Sequence, residues 1–261
     1  MKSVSAFAVL QVVAGFMLLW EALCWLADSP AYFLPRPSIV LVEIWSAPSW
    51  YLRQCFFTFV TTFLGFGLAL VLGVVMAIGI AYSKVIERTL YTLLVSLNSI
   101  PKIALAPLFV IWLGTGLGSK VAVSFLIAVF SIVIDTVLGL RSVDPDAIKL
   151  FRTMRATRLQ ELLRLRAPNA MPYMFAGMKV AISMALVGAI AGEFVASQQG
   201  LGYVILSAQS MMQTTRVFAA IILLGLMGTL LFYLVELAER LCCPWHVSQR
   251  GEGTKPASAH G

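Results

Sequence analysis

Six long apolar stretches organise the chain, at residues 4–27, 56–82, 91–113, 121–140, 173–195 and 217–239. Each reaches the roughly 20 residues that a helix rising about 1.5 Å per residue needs to cross some 30 Å of hydrocarbon. The pattern predicts an all-α integral membrane protein with about six transmembrane helices. The first stretch follows a short, Lys-containing N-terminus, as a signal peptide does. Its apolar run is too long for a signal-peptide core and no small-residue cleavage pattern follows it, so it counts as a span. The polar segments between spans are too short for a soluble domain. The reading is therefore one transmembrane domain over 1–247 and a Gly/Pro/Ser-rich, disordered cytoplasmic tail over 248–261.

The spans carry their own packing signals. Helices in lipid associate through close backbone contact, which needs small residues at helical spacing. Gly65, Ala69, Gly73 and Ala77 form one such row in the second span, and Gly177, Ala181, Ala185 and Ala189 form another in the fifth. One more step along the fifth-span row reaches Glu193, and the fourth span places Asp135 between Ser131 and Gly139 in the same register. Lys102 falls in the middle of the third span, directly after Pro101 and ahead of Pro107, and each proline removes a backbone donor. Charges inside spans are costly and face a bundle interior or a wet cavity. Pro101, Lys102, Pro107, Asp135 and Glu193 are thus candidate translocation-pathway residues. Structural ion pairing and interfacial placement are the competing readings. Glu236 and Arg240, four residues apart at a helix end, read as an interfacial pair.

Composition agrees with the pattern. Of 261 residues 60% are apolar and 12% charged, with a mean hydropathy of +0.90, which excludes a water-soluble enzyme. The net charge of +7 is unevenly placed: with the N-terminus inside, 13 of the 19 Lys and Arg lie on the cytoplasmic side. Both termini are then cytoplasmic. Two His and four scattered Cys make neither a metal site nor a disulfide framework. No catalytic constellation is present. Gly114–Lys120, GTGLGSK, approaches a phosphate-binding loop, but Ser119 stands where Gly is needed and Val121 where Ser or Thr is needed. The chain binds no cofactor in this reading, so energy for uphill movement comes from a partner or an ion gradient.

Residues 146–166, DAIKLFRTMRATRLQELLRLR, interleave Lys149, Arg152, Arg155, Arg158, Arg164 and Arg166 with Leu, Ile, Phe and Met, with no Gly or Pro before Pro168. The segment reads as one or two short helices. A passive positive-inside loop, a helix on anionic lipid and a helix docked in a partner's groove all fit this composition. Nucleic-acid binding does not, because aromatic interleaving and room for a recognition fold are both missing.

Three runs then resemble the permease subunits of ATP-binding-cassette importers of the nitrate, sulfonate and taurine branch. IPKIALAPLFVIWLGTGLGSK (Ile100 to Lys120) is similar to that branch's P-x-x-A-x-x-P-L-x-x-x-W-x-G-x-G-x-x-S-K run. GEFVASQQGLGYVI (Gly192 to Ile205) is similar to its Glu followed by a Gly-Leu-Gly turn. APNAMPYMFAGMKVAI (Ala167 to Ile182) resembles the end of its cytoplasmic coupling loop. The resemblance implies a type I importer permease bundle, with the coupling helix at Ala156, Thr157, Arg158, Leu159, Gln160, Glu161, Leu162 and Leu163. Lys149, Leu150 and Phe151 stand in place of the usual Glu-Ala-Ala, and Arg155 in place of the usual Gly.

It further implies two partner ATPase subunits carrying ATP and Mg, a periplasmic or lipid-anchored binding protein, a permease homodimer in the bacterial inner membrane, and alternating access. The solute is expected to be a small nitrate-, sulfonate- or taurine-like anion. A thiamine-precursor pyrimidine, riboflavin, an aromatic acid, or an ion-coupled carrier using Lys102, Asp135 and Glu193 as a relay are the alternatives.

Overall fold

The computed structural model describes residues 6–27, 30 and 32–244; the expected tail at 248–261 lies outside them. Among the described residues there are helices and no strands. In chain order they are α1 (Ala6–Leu26), α2 (Pro37–Ser46), α3 (Pro48–Tyr82), α4 (Lys84–Ile86), α5 (Thr92–Ser99), α6 (Ala106–Leu113), α7 (Leu117–Arg141), α8 (Pro145–Thr153), α9 (Arg158–Glu161), α10 (Ala167–Ala196), α11 (Leu201–Ser210) and α12 (Thr214–Cys242). Prolines open α2, α3, α6, α8 and α10 within the first two positions, where the missing N–H has no intrahelical partner to lose.

α3, α7 and α10 form the centre, and the small-residue rows are what bring them together. A Cβ on Gly65 would overlap the Ser124 side chain, and one on Gly73 would sit 3.0 Å from Ile132, so α3 and α7 run parallel with backbones nearly touching. On α10, a Cβ at Gly188 would lie 2.6 Å from Ser124 Cα and one at Gly177 would lie 2.8 Å from Asp135 Cβ, which sets α10 antiparallel to α7. Every member of both rows is buried. The Ser124 hydroxyl adds a hydrogen bond to the Ala185 carbonyl at 2.8 Å. Because lipid tails are as apolar as leucine, such close contact replaces the hydrophobic effect as the force between helices.

The third predicted span, 91–113, is not one helix. α5 stops at Ser99, a 3₁₀ turn spans Lys102–Leu105, and α6 begins at Ala106. Pro101 is the cause: it donates no hydrogen bond and pushes the preceding residue out of helical geometry. Four helical runs are long and apolar enough to cross a membrane among the described residues, namely Pro48–Tyr82, Leu117–Arg141, Arg158–Ala196 and Thr214–Cys242. α12 packs on α10, where Lys179 and Glu239 form an ion pair at 2.5 Å. The Glu236 and Arg240 pair forms at 2.6 Å at the end of α12, with the guanidinium largely exposed.

Candidate functional site

Polar side chains gather at both ends of the central bundle. At one end the Glu193 carboxylate, only 1% exposed, accepts hydrogen bonds at 2.8 Å from the Thr58 hydroxyl and from the Gly202 N–H. Thr58 Oγ1 in turn accepts from the Leu201 N–H at 2.8 Å, and Gln54 Oε1 accepts from the Gly200 N–H at 2.7 Å. Three successive amides at the start of α11 are thus held by side chains from α3 and α10. A helix N-terminus favours a negative partner, so Glu193 suits this place. Gly200 has φ +103°, and a Cβ there would overlap the carboxylate, which explains why a glycine occupies it. Lys120, in the first turn of α7 and buried, lies near enough for its charge to act on Glu193, and its ammonium donates to the Thr115 and Gly116 carbonyls at 2.6 and 2.9 Å. A cleft of about 420 Å³ opens beside it, lined by Thr115, Lys120, Ser197, Gln198 and Gln199 among others.

The opposite end carries the basic segment. α8 ends in a turn where the Ala156 N–H bonds to the Phe151 carbonyl and the Arg155 N–H to the Arg152 carbonyl, with Arg155 at φ +55°. This is the paired hydrogen bonding that normally places glycine at the left-handed position. α9 then starts on a capping box in which Thr157 and Gln160 satisfy each other's backbone N–H. Glu161, 6% exposed, accepts from Arg166 Nε at 2.7 Å, and Arg166 also donates to the Leu140 carbonyl at 3.0 Å and lies over the Tyr82 ring. Arg141 bonds to the Ile80 carbonyl at 3.0 Å and to Glu87 at 2.8 Å, and holds the Glu87 carboxyl below its ordinary range. The segment is therefore anchored to the ends of α3 and α7 through its inner face. Its outer face presents Leu150, Met154, Leu159 and Leu163, all at least 60% exposed, together with Arg155, Arg158 and Arg164, which make no ion pair among the described residues.

The left-handed Arg155 has a measurable consequence. A non-glycine residue there costs about 1–2 kcal/mol, and glycine gives back about 0.5–1 kcal/mol in chain entropy. Arg155→Gly is expected to stabilise the purified chain by up to about 1 kcal/mol, seen as a higher midpoint of thermal unfolding in detergent; an unchanged or lower midpoint contradicts this account.

The predicted pathway residues do not form one cluster. Glu193 lies at the Lys120 end of α7, whereas Asp135 sits beside Gly177, 15 residues further along α7 and so roughly 22 Å away. Lys102 stands at the helix break, its Nζ 2.6 Å from Asn98 Oδ1 and 5.4 Å from the centre of the Phe130 ring. Pro101 makes that break, and Pro107 lies in the first turn of α6. Residue patterns single out neither Gln54 nor Thr58, and Lys120 only as the end of the Ile100 to Lys120 run. They also left Lys179 and Glu239 unpaired. The one available signal for the Glu193 clasp was the Gly-Leu-Gly turn.

A family model described as the binding-protein-dependent transport system inner membrane component matches residues 69–241, which takes in α7, the basic segment, Glu193 with the start of α11, and nearly all of α12. The chain belongs to this family. The permease is 35% identical to the formylaminopyrimidine transport permease protein ThiX of Halalkalibacterium halodurans, over 89% of this chain and 93% of the relative. It is 35% identical to the riboflavin transport system permease protein RibX of Chloroflexus aurantiacus, over 89% and 87%. A sulfonate relative, the putative SsuC of Bacillus subtilis, is 33% identical over 72% and 68%. Among solved structures, the inward-facing MetNI methionine ABC transporter superposes with a TM-score of 0.67 at 19% identity, covering 76% of this chain and 98% of that one, which shows the fold. The permease is a multi-pass inner-membrane component of an ABC importer. It is a transport component and not an enzyme, with hydrolysis on a separate ATPase subunit and a binding protein as further partner.

Proposed function

We propose that the permease works as a homodimer that imports a small organic solute by alternating access, with 146–166 as the ATPase-docking segment and both termini cytoplasmic. The observation that carries this reading is the two-faced basic segment: its inner face is tied to α7 and α3 through Arg166, which is held by Glu161, bonds to the Leu140 carbonyl and lies over the Tyr82 ring, and its outer face is apolar, cationic and open. A groove in an ATPase subunit fits that face as it fits other amphipathic helices. ATP and Mg belong to the two ATPase subunits, and their closure is passed through the anchored segment to the helices it is tied to. Helices packed through rows of small residues suit movement as rigid bodies.

For the solute, the two relatives at 35% identity are named for formylaminopyrimidine and riboflavin, whereas the nitrate import permease NrtB of Synechocystis, matched over the same 89% of the chain, is 26% identical; the higher identity supports a nitrogen heterocycle ahead of the nitrate-, sulfonate- or taurine-like anion first expected. Ion coupling is the rival reading. In cells carrying the whole transporter, uptake of radiolabelled formylaminopyrimidine is expected to persist under a protonophore while ATP is maintained and to stop when ATP is depleted. Collapse under the protonophore alone would make the chain an ion-coupled carrier.

A further inference from the structure

A second cleft, of about 290 Å³, opens at the Glu193 end of the bundle, where the first turns of α3 meet α11 and the start of α12. Its lining includes Trp50, Tyr203, Gln54, Gln198 and Gln213. Gln54 is only 5% exposed, and its carboxamide has one orientation: Oε1 accepts from the Gly200 N–H at 2.7 Å, so Nε2 occupies the other side. That Nε2 has no hydrogen bond among the described residues, and neither has the Tyr203 hydroxyl. A largely desolvated N–H without an acceptor is costly, and the cleft is where an acceptor can reach this one. Arg216 is the one charged residue in the lining, and its Nε lies 2.8 Å from the Glu43 carboxylate, so the cleft holds no free cation. The volume is roughly twice the 150 Å³ or so of a cavity that admits benzene, which suits one substituted six-membered ring.

A nitrogen heterocycle matches this set of groups. It offers a flat face to an aromatic side chain, ring nitrogens or carbonyls that accept in the ring plane, and amino groups that donate to a glutamine oxygen. A nitrate or sulfonate group would shed its water here without gaining a counter-charge. We infer that this cleft is a reception site for the solute, taking a neutral single-ring nitrogen heterocycle against Trp50 and Tyr203 with one acceptor atom on Gln54 Nε2. The cleft lies at the end opposite the basic segment, the side from which an importer's solute arrives. Gln54 also ties the site to the bundle, because the same carboxamide holds the Gly200 N–H beside the Glu193 clasp. The inference rests on the importer reading above and adds where the solute is met and which of its atoms are recognised.

The test uses the complete complex of permease and ATPase in detergent, without a binding protein. Ser207→Cys, in the cleft lining, is reacted with a neutral methanethiosulfonate, against the parent chain's native cysteines as background. Formylaminopyrimidine is expected to slow the labelling saturably, and taurine and nitrate should leave it unchanged. Adding Trp50→Leu keeps an apolar side chain but removes the stacking face, so the concentration giving half protection should rise about fivefold or more, while Trp50→Phe should stay nearer the parent. Where Ser207→Cys fails to assemble, Met211→Cys, 66% exposed in the same lining, gives the same measurement. No protection by formylaminopyrimidine, protection indifferent to Trp50→Leu, or protection by taurine or nitrate each overturns the inference. So does protection that appears only on adding a binding protein, which would make the cleft a protein-docking surface. Failure of the unaltered chain to co-purify with the ATPase would instead sink the importer reading, leaving protection of the permease alone as a separate result.

Discussion

The double substitution Leu159→Asp and Leu163→Asp is expected to leave the permease folded and inserted while abolishing its association with the ATPase. Both side chains are largely exposed, 63% and 60%, with only part of Leu163 bordering a small apolar cavity, so each change should alter stability by only about 0.5 kcal/mol. In a docked helix the same leucines become buried anchors, worth about 2 kcal/mol or more apiece. Losing both, and burying two carboxylates in their place, corresponds to roughly a thousandfold loss of affinity. Co-purification and ATP-driven uptake should disappear together. Leu162 provides the contrast: it is less exposed than Leu163, beside which it borders an apolar cavity of about 140 Å³ shared with Val74, Ile78 and Met171, so Leu162→Asp is expected to lower stability before it affects docking. Retained ATPase binding in the Leu159/Leu163 variant would remove the docking role from this face.

Glu193→Ala should be among the most destabilising single substitutions in the molecule. It strips acceptors from the Thr58 hydroxyl and the Gly202 N–H, and it takes the neighbouring counter-charge away from buried Lys120. Removing one partner from a buried charged cluster costs about 3–5 kcal/mol. Glu193→Gln keeps an acceptor oxygen and should cost about 1–3 kcal/mol, the range for a weakened buried hydrogen bond. Thermal unfolding of the detergent-solubilised chain reads both, and proteolysis between α10 and α11 should rise in step as the α11 N-terminus is released. Equal midpoints for Ala and wild type would show that the clasp contributes nothing to stability.

Much of this molecule follows from local pattern. Hydrocarbon thickness converts apolar run length into spans, so the helices at 48–82, 117–141 and 214–242 are visible in the order of residue types. Four-residue spacing converts Gly and Ala into contact faces, and those rows did become the interfaces among α3, α7 and α10. Two local features were read too smoothly. The expected third span, 91–113, runs across Pro101, where a proline breaks the hydrogen-bond ladder and the helix divides. Arg155 was noted for standing where the family has Gly, but its left-handed backbone follows only from the turn that α8 and α9 make together.

The pairing of charges is what tertiary structure alone decided. Thr58 and Glu193 meet across 135 positions of sequence, and Arg216 meets Glu43 across 173, separations over which no periodicity carries information. Sequence placed Lys102, Asp135 and Glu193 inside spans with equal standing. Helix packing then gave Glu193 its hydrogen-bond partners, set Lys102 on an aromatic ring, and left Asp135 with none among the described residues. The reason is physical: burial cost is a property of the residue and its span, whereas relief of that cost depends on which backbone comes within 3 Å, and that is settled by how the small-residue faces of separate helices lock together.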